Sequence, residues 1–324
     1  MTTIPQMEQM LRKIFETRAD ELARELGFVI RKRALSGADF VQGLVFGWLH
    51  TPQARVEHLA RFMARREVEI TGSGLSQRFT PQAASFLQAM LTEVVSHTVT
   101  AEPAPLALLQ RFSSVVIEDS SVITLPDELQ EMWRGCGGGG KQSKAGLKLH
   151  VRWDLLRGTL QGPMLSPARV ADQHSPLREQ EIALHQLYIT DEGYFGLQWL
   201  KQKTKGGQRY FLTRPRSITA FFDLQGHRLD LSMIGPSQIN TSVDVPVLVG
   251  HQVRLPARLI MLRVPDEVVE QRHQEIRETA RRHSTVPTQA QLEQAQWTIL
   301  ITNVPPELLS VPEVIILQRA RWQI

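Results

Sequence analysis

Ser113-Ser114-Val115-Val116-Ile117-Glu118-Asp119 and Leu187-Tyr188-Ile189-Thr190-Asp191-Glu192-Gly193-Tyr194 are the two stretches on which the reading of this chain turns. Each is a short, continuous apolar run that closes on an aspartate. A run of that length fits a strand buried on both faces. Ligands collect outside the carboxyl ends of such strands, where the sheet stops and loops begin. Two aspartates held side by side there repel each other unless a cation lies between them. Carboxylate oxygens suit Mg²⁺, which takes one or two of them and keeps room for phosphates. The pair therefore suggests metal-dependent chemistry on a phosphodiester. Taken one strand at a time, each aspartate can equally cap a following turn or helix.

The surrounding sequence arranges these strands in an α/β order. Residues 1–105 carry apolar positions at helical spacing, as in Phe40, Leu44, Val45 and Trp48, or Phe86, Leu87, Met90 and Leu91, broken by short turns. Such helices are compatible with a helix-turn-helix DNA reader and equally with a plain bundle. Residues 100–106 read as a linker. From 106 to 214 the predicted order is β-β-β-α-β-α-β, with helices over Glu179–Gln186 and Tyr194–Lys203, and with the aspartates on the first and fourth strands. Residues 215–296 are strand-rich (Ile218–Leu224, Arg228–Ile234, Val245–Val249, Leu259–Val264) and include a charged helix over Asp266–His283. Residues 297–324 open on the strand Trp297–Val304 and continue into a helix with proline in its first turn, Val311-Pro312-Glu313.

Composition excludes several classes. With 42% hydrophobic and 22% charged residues, the 324-residue chain is that of a soluble globular protein with room for two or three domains. The single cysteine, Cys136, rules out an intramolecular disulfide or a thiolate metal cluster, and ten scattered histidines show no zinc-ligand spacing. No signal segment opens the chain and no apolar run approaches the ~20 residues of a membrane span, so the expectation is a cytoplasmic protein. The net charge is +4, and of 37 basic residues 8 are Lys and 37 − 8 = 29 are Arg, the residue suited to bidentate phosphate contacts. Lys201, Lys203, Lys205 and Arg209 form the densest basic stretch. Gly135–Gln142 nearly matches a phosphate-binding loop. It has Gln142 where Ser or Thr should hold the metal, and a helical pattern where a strand should precede it, so a hairpin loop is the better reading. Trp297 is either an ordinary aromatic at a strand start or an exposed indole able to stack on an unpaired base.

In this order the segments resemble the DDE transposases of bacterial insertion sequences, the cut-and-paste group with a β-rich insertion and a Tyr-Arg-Glu-Lys signature. Asp119-Ser120-Ser121 is similar to that family's first Asp-Ser-Thr element, with Ser for Thr. Asp191-Glu192-Gly193-Tyr194 is similar to its Asp-x-Gly-Tyr element. Trp297-Thr-Ile-Leu-Ile-Thr-Asn-Val-Pro305 resembles the strand before the signature helix, and Arg319-Ala-Arg321-Trp322-Gln-Ile324 resembles the start of the signature. Two departures stand out: the signature tyrosine falls at Gln318, and its glutamate should follow Ile324, the last residue of the sequence.

The resemblance implies a ribonuclease-H-like core with a helical amino-terminal domain and a β-rich insertion. It implies three acids holding two divalent ions, Mg²⁺ or Mn²⁺, about 4 Å apart for in-line attack of water or a 3′ hydroxyl on DNA. Asp119 and Asp191 are then the catalytic metal ligands. Arg321 holds a phosphate of the transferred end, Trp297 and the basic residues Lys201, Lys203, Lys205 and Arg209 contact DNA, and the protein works as a homodimer on paired transposon ends. The third carboxylate is expected to be absent. Glu313, roughly 18 Å back along the last helix, cannot replace it. A chain cut short in this way is expected to bind DNA and cleave it poorly; the alternative is an inactive DNA-binding remnant acting as an inhibitor.

Overall fold

The computed structural model describes residues 4–30, 35–98, 107–137, 144–282 and 284–320. The linker at 100–106 lies outside the described residues, as do residues 138–143 of the glycine-rich loop. The chain divides into two compact units, 1–102 with 159–162, and 103–158 with 163–324.

The first unit is helical, as its spacing predicts. Helix α1 (Ile4–Lys13) runs through a π-helical turn at Ile14–Arg18 into α2 (Ala19–Glu25). A capping box begins α3 (Gly37–His50): Ser36 Oγ accepts from Asp39 N at 3.0 Å and Asp39 Oδ2 accepts from Ser36 N at 3.0 Å. Helices α4 (Val56–Ala64), α5 (Gly72–Ser76) and α6 (Pro81–Thr98) follow. Phe40, Leu44, Leu59, Met63, Leu75 and Phe86 form the core. Helices α3 and α4 meet closely because Gly43 and Gly47 have no side chain. A Cβ there would lie 2.0 Å from Met63 Cε and 2.6 Å from Leu59 Cδ2.

The second unit, with residues 159–162 of β3 excepted, is built on one nine-stranded sheet. Its strands are β1 (Ser114–Leu125), β2 (Ala145–Asp154), β3 (Thr159–Pro167), β4 (Gln186–Thr190), β5 (Tyr210–Thr213), β6 (Phe221–Phe222), β7 (Ser242–Val249), β8 (Leu255–Arg263) and β9 (Trp297–Thr302). Their spatial order is β3-β2-β1-β4-β5-β9-β8-β7-β6. Strands β1, β4 and β5 are parallel neighbours, and the connection from β4 to β5 carries helix α7 (Leu197–Lys203). Strand β9 pairs antiparallel with both β5 and β8, so the strands of 215–296 continue the same sheet.

Period-two alternation divides the core between the two faces. Val115, Ile117, Leu187, Ile189 and Leu212 pack with Val314 and Leu317 of helix α11 (Val311–Ala320) on one face. Phe211, Leu259, Met261 and Trp297 pack with Leu200 of α7 on the other. A short helix α8 (Leu231–Ile234), the long helix α9 (Asp266–Arg282) and a two-turn α10 (Gln289–Gln294) complete the unit.

Three local expectations change. Strand β1 continues six residues beyond Asp119, because β2 pairs with it as far as Leu125–Ala145. The predicted helix over Glu179–Gln186 is instead a 3₁₀ turn, Pro176–Glu179, followed by irregular chain. Gln186 already belongs to β4, and His185 takes a left-handed conformation, φ 59°, that breaks a helix. Of Arg228–Ile234, predicted extended, Arg228 makes an isolated bridge with Phe222 and Leu231–Ile234 forms α8, where the Asp230 side chain accepts from Ser232 N and caps the helix. The strands β1 and β2 on either side of the glycine-rich run pair antiparallel, in keeping with the hairpin reading and not with the strand-to-helix order of a phosphate loop. Among the described residues no helix is long and apolar enough to cross a membrane.

Candidate active site

The parallel pairing of β1 with β4 runs from Ser114–Gln186 to Ile117–Ile189. Two residues beyond that last pair stand Asp119, still in β1 and there paired with Val151 of β2, and Asp191, the first residue after β4; strand alternation puts Asp119 on the α11 face shared by Ile117 and Ile189. Asp191 is still extended, φ −88° and ψ 173°, and its side chain makes no capping bond to the 3₁₀ turn Glu192–Tyr194 that it precedes. Asp119 Oδ1 accepts the next backbone amide, Ser120 N, at 2.8 Å. Both aspartates are half-buried. Adjacent strands lie about 4.8 Å apart, so two facing carboxylates there can share one hard cation. The donor set thus fits Mg²⁺ or Mn²⁺ with two oxygen ligands. Among the described residues no cluster of three or more His, Cys, Asp or Glu could hold a metal.

Positive charge meets this end of the sheet from a direction the sequence did not flag. Thr213 pairs with Thr190, so Arg214 follows β5 beside Asp191. Glu192 is pushed up from its ordinary value by partial desolvation and by Asp191, against the pull of Arg214 and Arg216. A cleft of about 570 Å³ opens here, lined by Glu192, Arg214, Arg272, Gln294 and Trp297 among others. An adjoining cavity of about 230 Å³ shares Arg214 and Arg272 and reaches Gln318 and Arg319. Among the described residues, neither the oxygen nor the nitrogen of the buried Gln318 amide has a hydrogen-bond partner. The only sequence signal for Gln318 was its place in the signature, where a tyrosine was expected; nothing signalled Arg214.

The basic stretch is elsewhere. Helix α7 runs back between β4 and β5, and Arg209 falls opposite Gln186, at the start of β4. Five residues of strand, about 17 Å, separate that level from Asp191. Three of the four side chains are held within the fold. Lys203 is buried, with Nζ donating to Glu179 O at 3.1 Å and to the Glu181 carboxylate. Lys201 Nζ donates to Val253 O at 2.7 Å, and Arg209 Nε to Ile182 O at 2.9 Å. Lys205 is exposed. Trp297 is also not the exposed indole of the stacking expectation. It is 7% exposed, its Nε1 donates to Pro236 O at 2.9 Å, and Gly235 packs against its ring so closely that a Cβ would lie 2.6 Å away. The strand-start reading of Trp297 holds, because β9 lies inside the sheet and buries its first residue. Arg321 lies outside the described residues.

Glu313 is committed to the start of α11. It accepts from Ser310 N at 2.8 Å and pairs with Arg111 at 2.8 Å, and these donors lower its carboxyl to about 2.

Residues 110–324 match the family described as Transposase DDE domain. The transposase for insertion sequence element IS231F of Bacillus thuringiensis subsp. israelensis is 25% identical over 99% of this chain and 71% of its own length. The transposase for insertion sequence element IS231C of Bacillus thuringiensis subsp. berliner is 24% identical over 98% of this chain and 70% of its own length. That for IS1151 of Clostridium perfringens is 22% identical over 94% and 68%. The chain belongs to the transposase DDE domain family.

Proposed function

We propose that this member of the transposase DDE domain family cuts and rejoins DNA at the ends of an insertion sequence, with Asp119 and Asp191 as ligands for Mg²⁺ or Mn²⁺. The parallel pairing of β1 with β4, whose last pair, Ile117–Ile189, lies two residues before each aspartate, is the observation that carries this reading. Divalent ions bound there supply activation of the attacking oxygen and charge stabilisation of the leaving one. The protein's own contribution is to carry Asp119 within β1 and Asp191 directly after β4, two parallel neighbours in the sheet. Arg214, beside Asp191, is positioned to take a phosphate of the scissile strand, as Arg321 is in the signature reading. Lys205 and Lys201 lie at the far end of β4 and contact DNA only if the duplex extends across the sheet.

The adjacency of the first and fourth strands supports a ribonuclease-H-like core made from 106–214 and 297–324. In this reading 215–296 is an insertion whose strands extend the core sheet, and 1–105 is the helical DNA-binding part. The partners are transposon-end and target DNA, and the working form is a homodimer on paired ends.

Direct metal titration tests the assignment without relying on turnover. Mn²⁺ is added to the 1–324 chain and the free ion is followed by electron paramagnetic resonance. Asp119→Asn and Asp191→Asn are each expected to weaken binding by at least about tenfold while leaving affinity for end-bearing DNA in place. Unchanged Mn²⁺ uptake in both variants would overturn the assignment.

A further inference from the structure

We propose that Asp172 is a positioning residue that fixes the spacing between Asp119 and Asp191. This rests on the reading of those two aspartates as the metal ligands. Asp172 opens a 3₁₀ turn, Asp172–His174, in the connection between β3 and β4, far in sequence from either ligand. It touches the element that carries each of them.

Toward β1, Asp172 Oδ1 accepts from Ser120 Oγ at 2.8 Å, and Ser120 is the residue after Asp119. Lys148 of β2 donates to the same oxygen at 2.8 Å and to Val170 O at 2.7 Å, holding the carboxylate from the next strand. Toward β4, the other oxygen packs against Gly193, two residues after Asp191. A Cβ built on Gly193 would lie 2.7 Å from Asp172 Oδ2. Neighbouring bonds tie the same two segments together. Gln173 Nε2 donates to Phe195 O at 2.7 Å, and the buried Arg178 guanidinium donates to Tyr194 O.

The strand pairing alone does not fix the ligands. Strand β2 still pairs with β1 at Asp119 and Ser120, but pairing of β1 with β4 stops at Ile117–Ile189 and Asp191 lies beyond the end of β4, so the separation depends on what holds the chain after β4 to β1. Asp172 provides that grip, with one oxygen on Ser120 and the other on Gly193. The Lys148 side chain is only 9% exposed and the Asp172 side chain 25%, so the contact is shielded from the screening that makes surface pairs weak. This also gives Gly193 a reason that backbone conformation does not: the space for a side chain is filled by Asp172.

Mn²⁺ titration of the 1–324 chain tests the role, with unfolding midpoints recorded in parallel. Asp172→Ala is expected to weaken Mn²⁺ binding about 10–100-fold, the range for residues that orient metal ligands. Because it strands the buried Lys148, it is paired with Asp172→Ala/Lys148→Met, which removes both charges and is expected to show the same loss of affinity. Asp172→Asn keeps the acceptor for Ser120 and the packing on Gly193, and is expected to bind Mn²⁺ within a few-fold of the parent. Gly193→Ala is expected to weaken binding in the parent and to have little further effect in the Asp172→Ala background. If the double variant folds and binds Mn²⁺ as the parent does, while Asp119→Asn does not, the positioning role is overturned and the ligand assignment stands. If Asp119→Asn and Asp191→Asn also bind as the parent does, the ligand assignment fails and the positioning role fails with it.

Discussion

Glu118 and Asp119 are adjacent carboxylates on one strand, and they sit in opposite worlds. Glu118 faces α7. It is fully buried and saturated: Arg152 Nη2 donates to it at 2.7 Å, Tyr188 OH at 2.7 Å and Ser175 Oγ at 2.6 Å. Burial and Glu118 together push the Tyr188 hydroxyl well above its ordinary value, so it stays a donor. Asp119 is half-buried and, by strand alternation, on the α11 face, two residues past the last pair of β1 with β4. The first carboxylate locks β1 to β2 and β4; the second is left where a cation can reach it. The same division separates Lys203, buried on Glu181, from Arg214 beside Asp191.

The largest expected effect comes from exchanging the roles of these neighbours. Glu118→Ala leaves Arg152 buried without its partner and is expected to cost about 3–5 kcal/mol in denaturant unfolding. Asp119→Asn is expected to change stability by less than about 1 kcal/mol. Equal losses for the two would break the comparison. Trp297 sharpens it next. As a buried indole whose N–H is already bonded, Trp297→Ala is expected to cost about 3 kcal/mol of stability, with DNA affinity at fixed salt unchanged in the protein that remains folded. A selective loss of DNA binding at unaltered stability would return the indole to a stacking role.

The smallest effect belongs to Glu313, a carboxylate answered at the surface. Its folded value, about 2, lies below the ordinary 4.5. Its contribution is therefore present above about pH 4.5 and is lost as pH falls toward 2. Unfolding midpoints of the parent and Glu313→Gln should differ at pH 6 and converge through that window. A difference that persists at pH 2 would point to something other than the carboxylate.

Much of this was legible beforehand where the cause is local. The helical first third, the apolar strands around 113–119 and 187–191, helix Asp266–Arg282 and proline near the start of α11 follow from spacing and capping within a few residues. Glu179–Gln186 failed because its helix-like spacing competes with bonds made to distant partners. Gln180 accepts from Arg152 at 2.8 Å and Gln186 is claimed by the sheet. Lys203 and Arg209 misled for a related reason: a basic run at the end of a crossover helix lies by topology at the wrong end of the strands.

The sequence by itself determined the two aspartate-bearing strands and, through period-two alternation, that Asp119 and Ile117 share a face while Glu118 takes the other. It also determined the family, through motifs of a few residues in the right order. Only the tertiary structure decided which charges are answered and how the ligand pair is held. Asp119 and Asp191 are 191 − 119 = 72 residues apart. In the proposed reading their meeting depends on β1 pairing with β4, and their spacing on Asp172, Lys148 and Gly193. Alternation is a property of one strand's geometry and can be read along the chain. Register and saturation are properties of partners brought from elsewhere, and no local pattern encodes them.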